Sequence, residues 1–124
     1  MKTHTLHTGE VVDGNSEAWR HHCEAVTVLK MPTGSREGYL QLVRARRGDI
    51  EMRRLRNTVQ SIWIDRTARE LIELERKDLL ESERRLQRIG RDAQGERYRA
   101  AILKRMQEII STTIPSSDKT ERAA

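Results

Sequence analysis

The 124-residue sequence has no phenylalanine, one cysteine and two prolines, and aromatic residues make up only 3% of it. Each scarcity excludes something. A single cysteine, Cys23, cannot form an intramolecular disulfide framework, and that usage suits a reducing cytoplasm. So few large aromatics in so short a chain leave a thin core. Such a chain is expected to be an elongated helical form, to oligomerise, or to lean on a partner. The first fourteen residues, MKTHTLHTGEVVDG, contain no apolar segment of signal-peptide length, and no run reaches the length of a membrane span. The expectation is a cytoplasmic protein with no membrane contact.

Charge is abundant instead. Charged residues are 35% of the chain, the formal net charge is +5, and arginine outnumbers lysine nineteen to five. Arginine forms bidentate contacts with carboxylates and phosphates and tolerates interfaces better than lysine.

Residues 1–14 read as an arm or short β-hairpin, with Leu6, Val11 and Val12 around Thr8-Gly9. A first helix is expected from Asn15 or Ser16, both good N-caps, to the break at Pro32. Trp19, Cys23, Val26 and Leu29 fall at i, i+4, i+7 and i+10, which predicts a core face containing Trp19 and Cys23, with Arg20 and His21 outward. A second helix is expected to start at Thr33 or Ser35, to use Tyr39, Leu40 and Val43 as its apolar side, and to stop at Gly48.

Between Asp49 and Ile89 there is neither glycine nor proline. Met52, Leu55, Val59 and Ile62 form one stripe. Ala68, Ile72, Leu79, Leu86 and Ile89 form a second, broadened by Leu71, Leu74 and Leu80. The stripes are out of phase, so either the helix breaks near Trp63–Asp65 or one long helix changes packing partners. After Gly90, Tyr98, Ile102, Met106 and Ile109 or Ile110 define a last helix, and the short link predicts an antiparallel hairpin with the segment before it. Leu71, Leu74, Leu80 and Ile110 lie off its seam, which suggests a homodimer or partner contact through that hairpin. Pro115 is expected to end the helix and residues 113–124 to be a disordered tail. The expected fold is all-α, one helical domain over residues 15–112.

His21, His22 and Cys23 invite a metal reading, together with His4 and His7. Adjacent helical residues point about 100° apart, so these three cannot share an ion. Only His4 and His7 have ligand spacing, and they sit in the arm. A Cys/His nucleophile fails for the same reason. No glycine-rich phosphate loop and no nucleophile elbow is present. The expectation is a protein that is not an enzyme and uses no metal or cofactor.

The sharpest electrostatic feature is RARRGDIEMRRLR. Arg44, Arg46, Arg47, Arg53, Arg54 and Arg56 fall within thirteen positions, opposed locally only by Asp49 and Glu51. Gly48 separates the two groups, so two helix ends bring six guanidiniums to one corner. That corner suits a phosphate backbone, an acidic protein surface, or plain solvation of a helix face. The aromatics of single-strand binders and a recognition helix are both missing from it.

Residues 7–63 resemble a group of small uncharacterised proteins encoded in bacteriophages and prophages. The resemblance is carried by Glu17-Ala18-Trp19-Arg20-His21 leading to Cys23-Glu24-Ala25, then Met31-Pro32, Tyr39-Leu40, Arg47-Gly48 and Trp63. His22 departs from the acidic residue of that pattern. The resemblance implies a phage context and no particular activity. A non-enzymatic phage-type accessory protein is therefore expected, one that binds a host or phage protein complex. Inhibition of a host defence complex, as by an anti-CRISPR protein, is the concrete version by analogy. The alternatives are nucleic-acid binding through the arginine corner and a phage structural or assembly role.

Overall fold

A computed structural model describes residues 2–113; the expected tail and the stop at Pro115 lie outside the described residues, except Thr113, which belongs to the last helix. The fold is all-α with a short N-terminal strand pair. Among the described residues the order is β1 (Thr3–Thr5), β2 (Val11–Asp13), α1 (Glu17–Lys30), α2 (Thr33–Arg47), α3 (Asp49–Lys77), α4 (Leu79–Ile89) and α5 (Ala93–Thr113). No helix among them is long and apolar enough to cross a membrane. The chain divides into two compact units between Trp63 and Ile64, and α3 contributes to both.

In the first unit, β1 and β2 pair antiparallel with His4 opposite Val12. The turn between them closes through Leu6 N–H to the Glu10 carbonyl at 2.8 Å and Gly9 N–H to the Leu6 carbonyl at 2.9 Å. Ser16 caps α1, its Oγ accepting from Trp19 N–H at 3.1 Å. Such a cap satisfies one of the amides that a helix start leaves without an intrahelical partner.

Neither Thr33 nor Ser35 caps α2. Pro32 holds that position with its carbonyl receiving the Ser35 and Arg36 amides. Arg36 reaches back instead to the other helix end, donating to the Leu29 carbonyl at 2.8 Å and the Met31 carbonyl at 2.9 Å. One guanidinium thus closes the C-terminus of α1 from the first turn of α2. Gly48 separates α2 from α3 at φ +96°, a conformation that a side chain strains.

The core of this unit joins Ala25 and Val28 of α1, Leu40 and Val43 of α2, and Met52, Leu55, Val59 and Ile62 of α3. The α3 stripe and the α2 face are the ones the periodicity predicts. The α1 face is rotated. Cys23 is exposed, Trp19 is half-buried, and His21 is half-buried rather than outward. Helix α1 is packed on two sides: small Ala25 and Val28 meet the other helices, while Trp19 meets the hairpin. A single-stripe reading merges the two faces and puts Cys23 in the core, whereas the structure leaves it on neither face.

In the second unit, α3 runs unbroken through Trp63–Asp65, and the break comes at Asp78. There the Asp78 carboxylate accepts from Glu81 N–H at 3.1 Å and caps α4. The chain then reverses: Ser82 Oγ meets the Leu71 carbonyl at 3.5 Å, and Arg85 pairs with Glu70 at 2.7 Å. Residues 90–92 turn α5 back onto α4. Ala68, Leu71, Ile102 and Met106 are buried here. Asp65, also buried, accepts from Arg105 at 2.7 Å and from Arg69 at 3.2 Å.

Gly95 makes the α4–α5 turn sterically feasible. A Cβ built on it would lie 1.9 Å from the Ile89 carbonyl oxygen, and its amide bonds the Asp92 carboxylate at 2.7 Å. Of the four off-seam residues, Leu71 is buried and Leu74 half-buried, while Leu80 and Ile110 are exposed, as are Leu79 and Leu103.

Candidate functional site at the α2–α3 junction

The six sequence-predicted arginines all lie in the first unit, on the last turn of α2 and the first turns of α3. Asp49 joins the two groups, 3.4 Å from Arg44 and 2.5 Å from Arg53. Arg54 lies 3.6 Å from Glu51. Two carboxylates from elsewhere in the chain take the others. Glu24 of α1 accepts both Arg47 nitrogens, at 2.6 and 3.1 Å, and Glu37 of α2 accepts Arg56 at 2.7 and 2.9 Å. Arg46 makes no ion pair among the described residues.

The arginines thus flank one helix junction, and they are more paired than their local sequence indicates. Glu24 and Glu37 lie 23 and 19 positions from their arginines, so local charge counting misses both. Pairs this exposed add little stability, but they orient the guanidiniums. Glu24 is the most constrained of the acids. The Arg47 hydrogen bond, reinforced by the Tyr39 hydroxyl donating at 2.5 Å, holds its carboxyl below the usual carboxylate range. The same contact pushes the Tyr39 phenol up.

A second feature missed by the charge pattern is Ile50. It is 80% exposed in the first turn of α3. The signal was in the sequence: Ile50 is out of phase with Met52, Leu55, Val59 and Ile62. Arg53 and Arg54 follow it at i+3 and i+4, the spacing that shares a helix face. On α2, Leu42 is 47% exposed one turn before Arg46.

Beside the corner is an open cleft of about 280 Å³. Glu17, Arg20, His21 and Glu24 line it from α1, Arg47 from α2, and Glu51 and Arg54 from α3. Three guanidiniums face three carboxylates, so with His21 neutral the lining has no net charge and does not concentrate phosphate. Burial, then the neighbouring Arg54 charge, lowers the His21 pKa from 6.5. Its Nε2 lies 2.8 Å from Thr58 Oγ1, whose single proton is directed to the Arg54 carbonyl at 3.0 Å. His21 must then donate to Thr58, the wrong direction for activating a hydroxyl as a nucleophile.

The remaining histidines form a stack rather than a ligand set. His4 lies on Trp19, Trp19 on His22 and His22 near His7, with centroid separations of 4.1, 5.3 and 5.7 Å. His7 Nε2 also lies 2.9 Å from Ser61 Oγ. Ser61 sits in the interior of α3, where backbone amides are engaged along the helix and none converges on its hydroxyl as an oxyanion hole requires. Among the described residues no three His, Cys, Asp or Glu side chains are grouped for a metal ion.

Fold and site together define an all-α protein with an arginine-rich helix junction in its N-terminal unit. Within it, residues 12–66, less than half of the chain, match the model of a family of unknown function (DUF7696). That segment holds most of β2, α1, α2, the first part of α3 and all six arginines, so it covers the first unit apart from residues 1–11. No curated protein and no solved structure matches the chain.

Proposed function

We propose that this is a non-enzymatic, phage-type accessory protein that binds a macromolecular partner through the α2–α3 junction. The observation that carries the reading is the junction itself. Six arginines flank one helix boundary, and Asp49, Glu24 and Glu37 hold four of them in set orientations. Side chains ordered before binding lose less entropy on binding. The hydroxyl–histidine contacts support a binding role over catalysis, because one runs in the wrong direction and the other has no oxyanion site. The phage resemblance of residues 7–63 supports a host complex as target, with inhibition of a defence complex as its concrete form.

Nucleic acid is the second reading, favoured by the net charge of +5 and by Arg46, which has no ion pair among the described residues. Pull-down from a bacterial lysate with and without nuclease separates the two. Replacing Arg46, Arg47, Arg53 and Arg54 by glutamate is expected to abolish binding in either case. A folded quadruple variant that retains full binding leaves the junction a solvated surface and removes the proposal.

A further inference from the structure

The face of the junction that points to solvent is not uniformly charged. Ile50 projects at 80% exposure, and Arg53, itself 71% exposed, and Arg54 stand one turn along the same face of α3. Arg46 and the partly exposed Leu42 lie on the last turns of α2. Asp49, immediately before Ile50, is bound to both Arg44 and Arg53, so the backbone carrying Ile50 is braced from two helices.

An isoleucine held out in water is unfavourable for the free protein, and a phosphate backbone offers it nothing to pack against. An exposed aliphatic side chain with Arg53 and Arg54 one turn along its helix face matches instead the anatomy of a protein interface, an apolar centre with a polar rim. The acids within the junction also dilute its attraction for a polyanion, whereas discrete carboxylates can pair with individual guanidiniums.

We infer that the junction docks on an acidic protein surface, Ile50 entering an apolar pocket while Arg46, Arg53 and Arg54 meet carboxylates at its rim. This rests on the junction being the binding surface and adds the class of partner and the anchor.

The test uses the full chain with methyl-labelled isoleucine and two probes. One is a short synthetic amphipathic helix with glutamates on its polar face and leucines on its apolar face; the other is a short DNA duplex. The peptide is expected to shift the Ile50 methyl resonance saturably. Ile50→Ala is expected to weaken it by roughly tenfold or more, the loss typical of a central anchor. Because Ile50 is exposed, this variant keeps its fold, which circular dichroism checks.

If Arg46→Glu with Arg53→Glu abolishes peptide binding and Ile50→Ala does not alter it, the surface stands and the anchor is wrong. Tighter binding of the duplex than of the peptide overturns the protein partner. An Ile50 shift that depends on protein concentration alone makes a second copy the occupant and likewise overturns it. Failure of both probes to bind at millimolar concentration counts against surface and anchor together.

Discussion

The imidazole of His4 lies flat on the indole of Trp19, ring centroids 4.1 Å apart and planes within 4° of parallel. This stack joins β1 to α1, elements that a sequence reading treats as an arm and a core helix. An aromatic pair of this kind is worth about 0.5–1.5 kcal/mol beyond area burial. His4→Ala is expected to lower the melting temperature by several degrees, at about 4–8 °C per kcal/mol for a domain of this size. Trp19→Ala should cost more, since it removes both its stacking contacts. Cys23→Ala should be neutral, because Cys23 is exposed. Thermal melts of the three variants check the order.

Gly95→Ala is expected to be among the most damaging single-methyl changes in the second unit. The added carbon would lie 1.9 Å from a backbone oxygen, which cannot rotate away as a side chain would. Overpacking of this kind costs about 1–3 kcal/mol or more. Urea denaturation of the variant should show a lower midpoint, and an unchanged one would mean that α5 starts elsewhere.

Arg105→Ala should destabilise the same unit. It leaves the buried Asp65 carboxylate with Arg69 alone, at 3.2 Å and from a side chain that is largely exposed. Loss of one partner of a buried charge costs about 3–5 kcal/mol when nothing replaces it, and the remaining Arg69 should hold the loss below that range. Replacing Asp65 and Arg105 together tests the coupling, and the double variant should lose less than the sum of the single ones.

Acid should weaken the first unit through two groups with the same sign. Burial and Arg54 lower the His21 pKa below 6.5, so folding favours its neutral form. Its contribution is full above 6.5 and is lost as pH falls through the folded value. Glu24, lowered from 4.5 chiefly by Arg47, contributes above 4.5 and loses that contribution as pH falls further. Titration of the His21 ring by NMR should give a midpoint below 6.5. Arg54→Gln should move it upward, and a midpoint at or above 6.5 in the unmodified chain contradicts the assignment.

A homodimer through α4 and α5 is a further expectation, motivated by exposed Leu79, Leu80, Leu103 and Ile110. Light scattering at micromolar concentration should show twice the chain mass, and Leu80→Glu with Ile110→Glu should return it to the monomer value.

Much of the fold was legible because local rules act over one or two turns. Ser16 as a cap, the break before Pro32, the stop at Gly48 and the stripe from Met52 to Ile62 are nearest-neighbour effects of backbone geometry and helical spacing. The break at Asp78 was also written there, as Asp78-Leu79-Leu80-Glu81, a capping pattern hidden in a stretch without glycine or proline. The six arginines were legible as a charge run, and Ile50 as a residue out of phase.

The sequence by itself thus determined which segments are helical, where most of them end and that six arginines lie on the helix ends either side of Gly48. Tertiary structure alone decided that Glu24 and Glu37 answer Arg47 and Arg56, that Trp19 faces a hairpin rather than the core, and that Asp65 meets Arg105 forty positions away. Spacing along a helix fixes which side chains share a face. Which partner each face meets depends on how distant segments pack, and that free energy belongs to pairs no local window contains.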